Sequence, residues 1–229
     1  MMNQFDRREV ISLLGFASAA LALGCGSGST TSPTSSPGGT TSSSTNASCA
    51  ATPTETIGPY PSHQSLIRSD IREGKSGTPL TLTLTVVSSS NGCAPVAGAN
   101  VGIWQCDATG NYSEYGTQTS QSYLRGIQTT DANGQVTFTT IYPGWYQGRA
   151  THIHIEVVRN GSSVKVTQIA FPESTNTAVY ATGVYAARGS NPTANTADDI
   201  FRDSVNSELA AVIGSPAGSL TATFTVAIA

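Results

Sequence analysis

Leu80 to Val87 reads LTLTLTVV, alternating apolar residues with threonine over its first seven positions. A β-strand points successive side chains to opposite faces, so this period of two makes one apolar face and one polar face. The neighbouring sequence offers more strands of the same kind. SSSNG is a turn, and ANVGIWQC (Ala99–Cys106) follows it as a second strand. QVTFTT (Gln135–Thr140) comes after an Asp-Ala-Asn-Gly turn signal. RATHIHIEVV and VKVTQIAF pair across the hairpin loop RNGSS, and SLTATFTVAIA is a final alternating strand. Helical composition is confined to Ala197–Ile213, where the periodicity is weak. The expected fold is all-β: a β-sandwich of mainly antiparallel strands with long functional loops and little helix. Asp107–Gly126 and Pro172–Asp198 are read as those loops.

The chain has 229 residues and a net charge of −3. Charged residues make up only 11% of it, and no basic patch marks a nucleic-acid partner. Arg7-Arg8 precede an apolar run, Val10–Leu23, that is too short for a comfortable membrane span and reads as an export signal. The arginine pair resembles a twin-arginine signal. ALGC resembles a lipobox ending at Cys25, with Ala22 where leucine is usual; a non-lipidated signal cleaved nearby is the alternative. Gly26–Ser48 holds Gly, Ser, Thr, Pro and Asn without aromatic or charged residues, the composition of a flexible tether. The expected layout is therefore an export signal (1–25), a tether (26–48) and a β-sandwich domain (49–229), secreted, periplasmic or anchored to the cell envelope through Cys25. Export implies an oxidising compartment, so one disulfide and one spare thiol are expected among Cys49, Cys93 and Cys106. Cys106 follows a strand-like run, which leaves Cys49 and Cys93 as the favoured pair.

The chemistry concentrates in YPGWYQGRATHIHIEVV, Tyr142–Val158. His152 and His154 share one face of a strand whose other face carries Ile153, Ile155 and Val157. An H-x-H pair is either a metal site or two hydrogen-bonded histidines. The other histidine, His63, lies in a Pro-rich segment, so tyrosine phenolates are the natural remaining ligands if a metal is bound. Tyr146 lies six residues before His152, and Tyr112 sits in the loop after the Trp104 strand. Tyr115 and Tyr142 are close competitors, and any of these tyrosines could instead be packing residues. Two phenolates with two neutral imidazoles form a hard, anionic set that suits trivalent iron better than zinc or copper(I).

TPTETIGPYP, PVAGANVGIWQCDATGNYSEY, YLRGIQTTDANGQVTFTTIYPGWY and GRATHIHIEV together resemble the intradiol ring-cleavage dioxygenases, in family order. The resemblance implies one non-haem Fe(III) per chain, held by Tyr112, Tyr146, His152 and His154. It implies that a catechol and O2 are the substrates and a cis,cis-muconate the product, with Tyr146 as the ligand the substrate displaces. Arg149 would stabilise negative charge on the ring, Gln168 would stand beside it, and Gly58-Pro59-Tyr60 would line the substrate pocket. Only Gln147-Gly148 separates Tyr146 from Arg149, shorter than in cytoplasmic relatives, which implies a more open site. The N-terminal helical dimerisation segment of catechol 1,2-dioxygenases is replaced by signal and tether, so the resemblance carries no oligomeric state. The sandwich strands also resemble transthyretin-like binding or stalk modules, which need neither R-x-x-H-x-H nor G-N-Y-S.

Overall fold

The computed structural model describes residues 49–229. The signal, tether and Cys25 readings lie outside the described residues. Nine strands form two sheets: β1 (Pro79–Ser88), β2 (Ala94–Pro95), β3 (Asn100–Trp104), β4 (Arg125–Thr129), β5 (Gln135–Ile141), β6 (His152–Arg159), β7 (Ser162–Ala170), β8 (Ala211–Gly214) and β9 (Leu220–Ile228). One sheet runs β2-β1-β9-β8, with β5 also pairing β1, and the other runs β4-β3-β6-β7. The fold is all-β, with two short α-helices, α1 (Glu173–Tyr180) and α2 (Val205–Glu208), among the described residues.

In β1, Leu80, Leu82, Leu84 and Val86 are buried and the intervening threonines face outward. Each such buried side chain contributes about 1.5–3 kcal/mol relative to exposure. They meet Val101, Ile103, Ile153, Ile155 and Val157 of the second sheet in one core. β6 and β7 join through Asn160-Gly161, both at positive φ (51° and 77°), the backbone of a two-residue hairpin turn. β9 lies parallel to β1, Leu80 opposite Leu220, which the sequence reading did not specify. Cys49 and Cys93 form a disulfide with Cα atoms 5.7 Å apart, and Cys106 is buried and unpaired.

Three elements depart from the reading of the sequence. β4 begins inside the stretch taken as a loop, and Ala197–Ile213 supplies only the single turn α2 before β8 starts. α1 forms within Pro172–Asp198 although ESTNTAVY is poor in helix formers. Its stability comes from packing: Val179 and Tyr180 are buried in the core, and the Tyr142 hydroxyl donates to Asn176 Oδ1 at 2.6 Å.

Candidate metal centre

The outer face of the β3-β6-β7 sheet would ordinarily meet water, yet His152, Ile153, His154 and Ile155 are all buried. The long loop after β3 and the entry segment cover that face. Register places His154 opposite Trp104 on β3 and Gln168 on β7, with His152 opposite Ala170. Gly58, at φ +77°, presses its backbone on the His154 ring: a Cβ there would stand 2.7 Å from Cε1. Only glycine combines that φ with that approach.

His152 Nδ1 donates to the Ala150 carbonyl at 2.7 Å, which leaves Nε2 with a free lone pair. Three polar atoms face that lone pair: His154 Nε2 at 3.1 Å, Tyr146 Oη at 3.4 Å and Tyr112 Oη at 3.5 Å. One lone pair cannot satisfy three neighbours. Adjacent ligands of a single ion take separations near these when their bonds are about 2.0–2.2 Å long. The four side chains therefore fit a metal ion. Among the described residues no three His, Cys, Asp or Glu side chains cluster as a metal site; the polar atoms beside the two imidazoles are the phenol oxygens of Tyr112 and Tyr146.

Electrostatics point the same way. Burial pushes the Tyr112 phenol well above its usual value, and burial pushes Tyr146 up to about 12 against the favourable pull of Arg149. Burial, then Arg149, lowers His152 to about 3; burial, His152 and Arg149 lower His154 well below the usual imidazole value. A bound cation would favour the phenolate forms of the two tyrosines and the neutral imidazoles.

Arg149 is fixed on two sides. Its Nε donates to Asp198 Oδ2 at 2.8 Å and its Nη2 to Gln168 Oε1 at 2.6 Å. Asp198 is fully buried and also accepts from the Ala150 and Ile200 amides, while Gln168 Nε2 donates to the Thr56 carbonyl at 2.9 Å. Tyr60 stacks on Tyr112, centroids 4.6 Å apart, and meets Tyr146 edge-on, while Pro59 is exposed. The competitors lie elsewhere. Tyr142 faces the core, and Tyr115 donates to the Pro61 carbonyl at 2.8 Å, with its oxygen 2.8 Å from His63 Nε2.

Two residues here were missed in the sequence. Asp198 is one. The other is Arg125, 1% exposed, whose guanidinium donates to the Tyr60 carbonyl (2.9 Å), the Ser113 carbonyl (2.6 Å) and Ser113 Oγ (2.9 Å), with Glu114 at 3.6 Å. It ties the Tyr112 loop to the Gly58-Tyr60 segment. An arginine inside the apolar run YLRGI was the available signal, because a charge there needs a built set of partners. A groove of about 390 Å³, lined by Ile57, Trp104 and Glu156, contains none of the four donor side chains. Donor geometry, not cavity size, locates the centre.

The family model described as "Dioxygenase" matches residues 55–190, which include Tyr60, Tyr112, Tyr146, Arg149, His152, His154 and Gln168. The intradiol ring-cleavage dioxygenase from Tetranychus urticae is 34% identical, with a TM-score of 0.71 over 79% of this chain and 95% of that one. The dioxygenase domain of a dioxygenase–carbohydrate-binding fusion from Streptomyces sp. SirexAA-E is 30% identical, with a TM-score of 0.59 over 78% of this chain and 97% of that one. A catechol 1,2-dioxygenase of Candida albicans is 32% identical over 109 residues, 38% of this chain. The aligned region spans about a third (36%) of that curated relative's length. The chain belongs to the intradiol ring-cleavage dioxygenase family. The comparisons give no support to a non-catalytic transthyretin-like module.

Proposed function

We propose that the protein holds one Fe(III) through Tyr112, Tyr146, His152 and His154 and uses O2 to open catechol-type rings between the hydroxyl-bearing carbons, giving cis,cis-muconate-type products. The observation that carries this is the convergence of two phenol oxygens and one imidazole nitrogen on the single lone pair of His152 Nε2, at separations that adjacent ligands of one ion take. A bound ferric ion would supply Lewis acidity toward a catecholate.

The chain's own residues supply the rest. Tyr146 is the partly exposed phenol of the pair, and Tyr112 is buried beneath Tyr60. Tyr146 is therefore the ligand a substrate can displace, and a displaced phenolate Oη there could accept a proton from a substrate hydroxyl. Arg149, held by Asp198 and Gln168, offers a fixed cation to negative charge developing on the ring without reorganising. Gly58, Pro59 and Tyr60 form one wall of the substrate site.

The test is oxygen uptake by the iron-loaded protein with a panel of catechols and identification of the products. Muconate-type products with one O2 consumed per ring are expected. Ferric loading without uptake on any catechol would sink the reading. Export is part of the proposal, with Cys25 as the acylated residue, and the Cys49–Cys93 disulfide supports an oxidising destination. Replacement of Arg7 and Arg8 by lysine should retain the protein in the cytoplasm; unaltered export would contradict the twin-arginine reading.

A further inference from the structure

The two histidines are held by different physical means. A metal-binding imidazole usually donates its second N–H to a carboxylate, carbonyl or water, which sets both tautomer and ring orientation. His152 does so through Ala150. His154 does not: its Nδ1 is buried and has no hydrogen-bond partner. The torsion that turns an imidazole plane has broad, shallow wells, so an imidazole without that bond is not fixed by its own conformational preference.

What meets the His154 ring is Trp104. The two residues are cross-strand neighbours on β3 and β6, and their rings lie 3° from parallel with centroids 4.9 Å apart. That is an offset stack. Trp104 is itself buried, 3% exposed in a cluster with Cys106 and Tyr112, and its indole N–H also lacks a partner. Gly58 closes on the imidazole edge, and Tyr112 meets it at a 62° tilt. The ring plane is thus set by packed surfaces.

We propose that Trp104 is a positioning residue that sets the His154 ring plane for the metal by stacking, in the role that the Ala150 carbonyl fills for His152. This rests on the tetrad being a ferric site. Its consequence is an unequal pair of imidazoles: His152, with a carbonyl accepting its Nδ1 proton, is the stronger electron donor, and His154, backed by a neutral ring, is the weaker.

The test compares Trp104→Phe with Trp104→Met, each checked for folding by near-ultraviolet circular dichroism. Ferric affinity is read by competition with a chelator, and the tyrosinate-to-Fe(III) absorption band is read alongside. Methionine keeps an apolar side chain but removes the stacked ring, so affinity should fall about 10–100-fold, the usual effect of losing a residue that orients a ligand, and the band should move. Phenylalanine keeps an aromatic face to stack on the imidazole while losing the N–H and part of the indole, so affinity should stay within about threefold and the band should hold. A Met variant with parental affinity and band would overturn the proposal. So would a Phe variant as impaired as the Met variant. If Met does not fold, the Phe variant decides by the same threshold. Parent protein that takes up no Fe(III) would refute the ferric reading itself, whereas parental uptake with indifferent variants counts against Trp104 alone.

Discussion

Replacing Gly58 with alanine should weaken both the fold and the metal centre, and the structure allows the size of the effect to be worked out. Gly58 sits at φ +77°, a conformation that costs an L-residue roughly 1–2 kcal/mol. The new Cβ would also stand 2.7 Å from His154 Cε1. Carbon atoms in contact lie about 3.5–4.0 Å apart, so the two groups must separate by roughly 1 Å. The imidazole is fully buried and stacked on Trp104, so it must turn off its preferred rotamer, at about 0.5–1.5 kcal/mol, or the 57–60 segment must lift. The sum is about 1.5–3.5 kcal/mol, a fall in melting temperature of roughly 3–14 °C for a domain of this size. A displaced His154 should weaken ferric affinity at least tenfold or so, the low end of what disturbed ligand support causes. Calorimetry of the metal-free variant reads the first effect, and chelator competition reads the second. A variant that melts within about 1 °C of the parent and binds Fe(III) equally well would refute the close-approach argument.

Two further outcomes follow from charges buried near the site. Burial raises the Glu208 carboxyl to about 7, a hydrogen bond from Ser204 opposes that rise, and Glu55 and Asp203 add to it. The folded state then holds a proton that the unfolded chain, with a carboxyl near 4.3, releases; Glu208 is unpenalised below that pH and costs stability as pH climbs toward and past 7. Glu208→Gln should therefore match the parent in denaturant unfolding near pH 4.5 and exceed it at pH 8 by up to about 3 kcal/mol; a difference that does not grow with pH would contradict the assignment. Asp198→Asn removes the buried partner of Arg149, so stability should fall by about 3–5 kcal/mol and kcat by roughly tenfold or more with iron content retained. Unchanged kcat in fully loaded protein would show that Arg149 needs no such anchor.

The sandwich was legible because its strands obey a period of two, as Leu80, Leu82 and Leu84 do, and because each hairpin carries its own turn chemistry, as Asn160-Gly161 does. The elements that escaped were those that local sequence does not encode. The α1 residues are indifferent helix formers and owe their conformation to Val179 and Tyr180 in the core. β4 is five residues long, includes Gly126, and begins with an arginine whose partners lie up to 65 residues away. At the centre, the two histidines could be read from strand alternation. Tyr112 and Tyr146 could be named only through family motifs, because nothing in spacing distinguishes them from Tyr115 and Tyr142. Asp198 was invisible for the same reason: it reaches Arg149 from 49 positions downstream through a loop with no periodicity.

The parallel pairing of β1 with β9 has a consequence for how the protein is made. β9 is the central partner between β1 and β8, and its contacts join Leu80 to Leu220 and Ser88 to Ile228, each pair 140 residues apart. The Thr52 amide also donates to the Ala227 carbonyl, so the start of the domain waits on the same strand. Until Ile228 has left the ribosome, β1 lacks one of its neighbours and the apolar face of its sheet cannot close. Pairings of such high contact order are slow to form, and β1 must wait for a partner made 140 residues later. Between the synthesis of β1 and that of β9 the nascent chain keeps an incomplete sheet edge exposed, the interval in which a holding chaperone would determine yield.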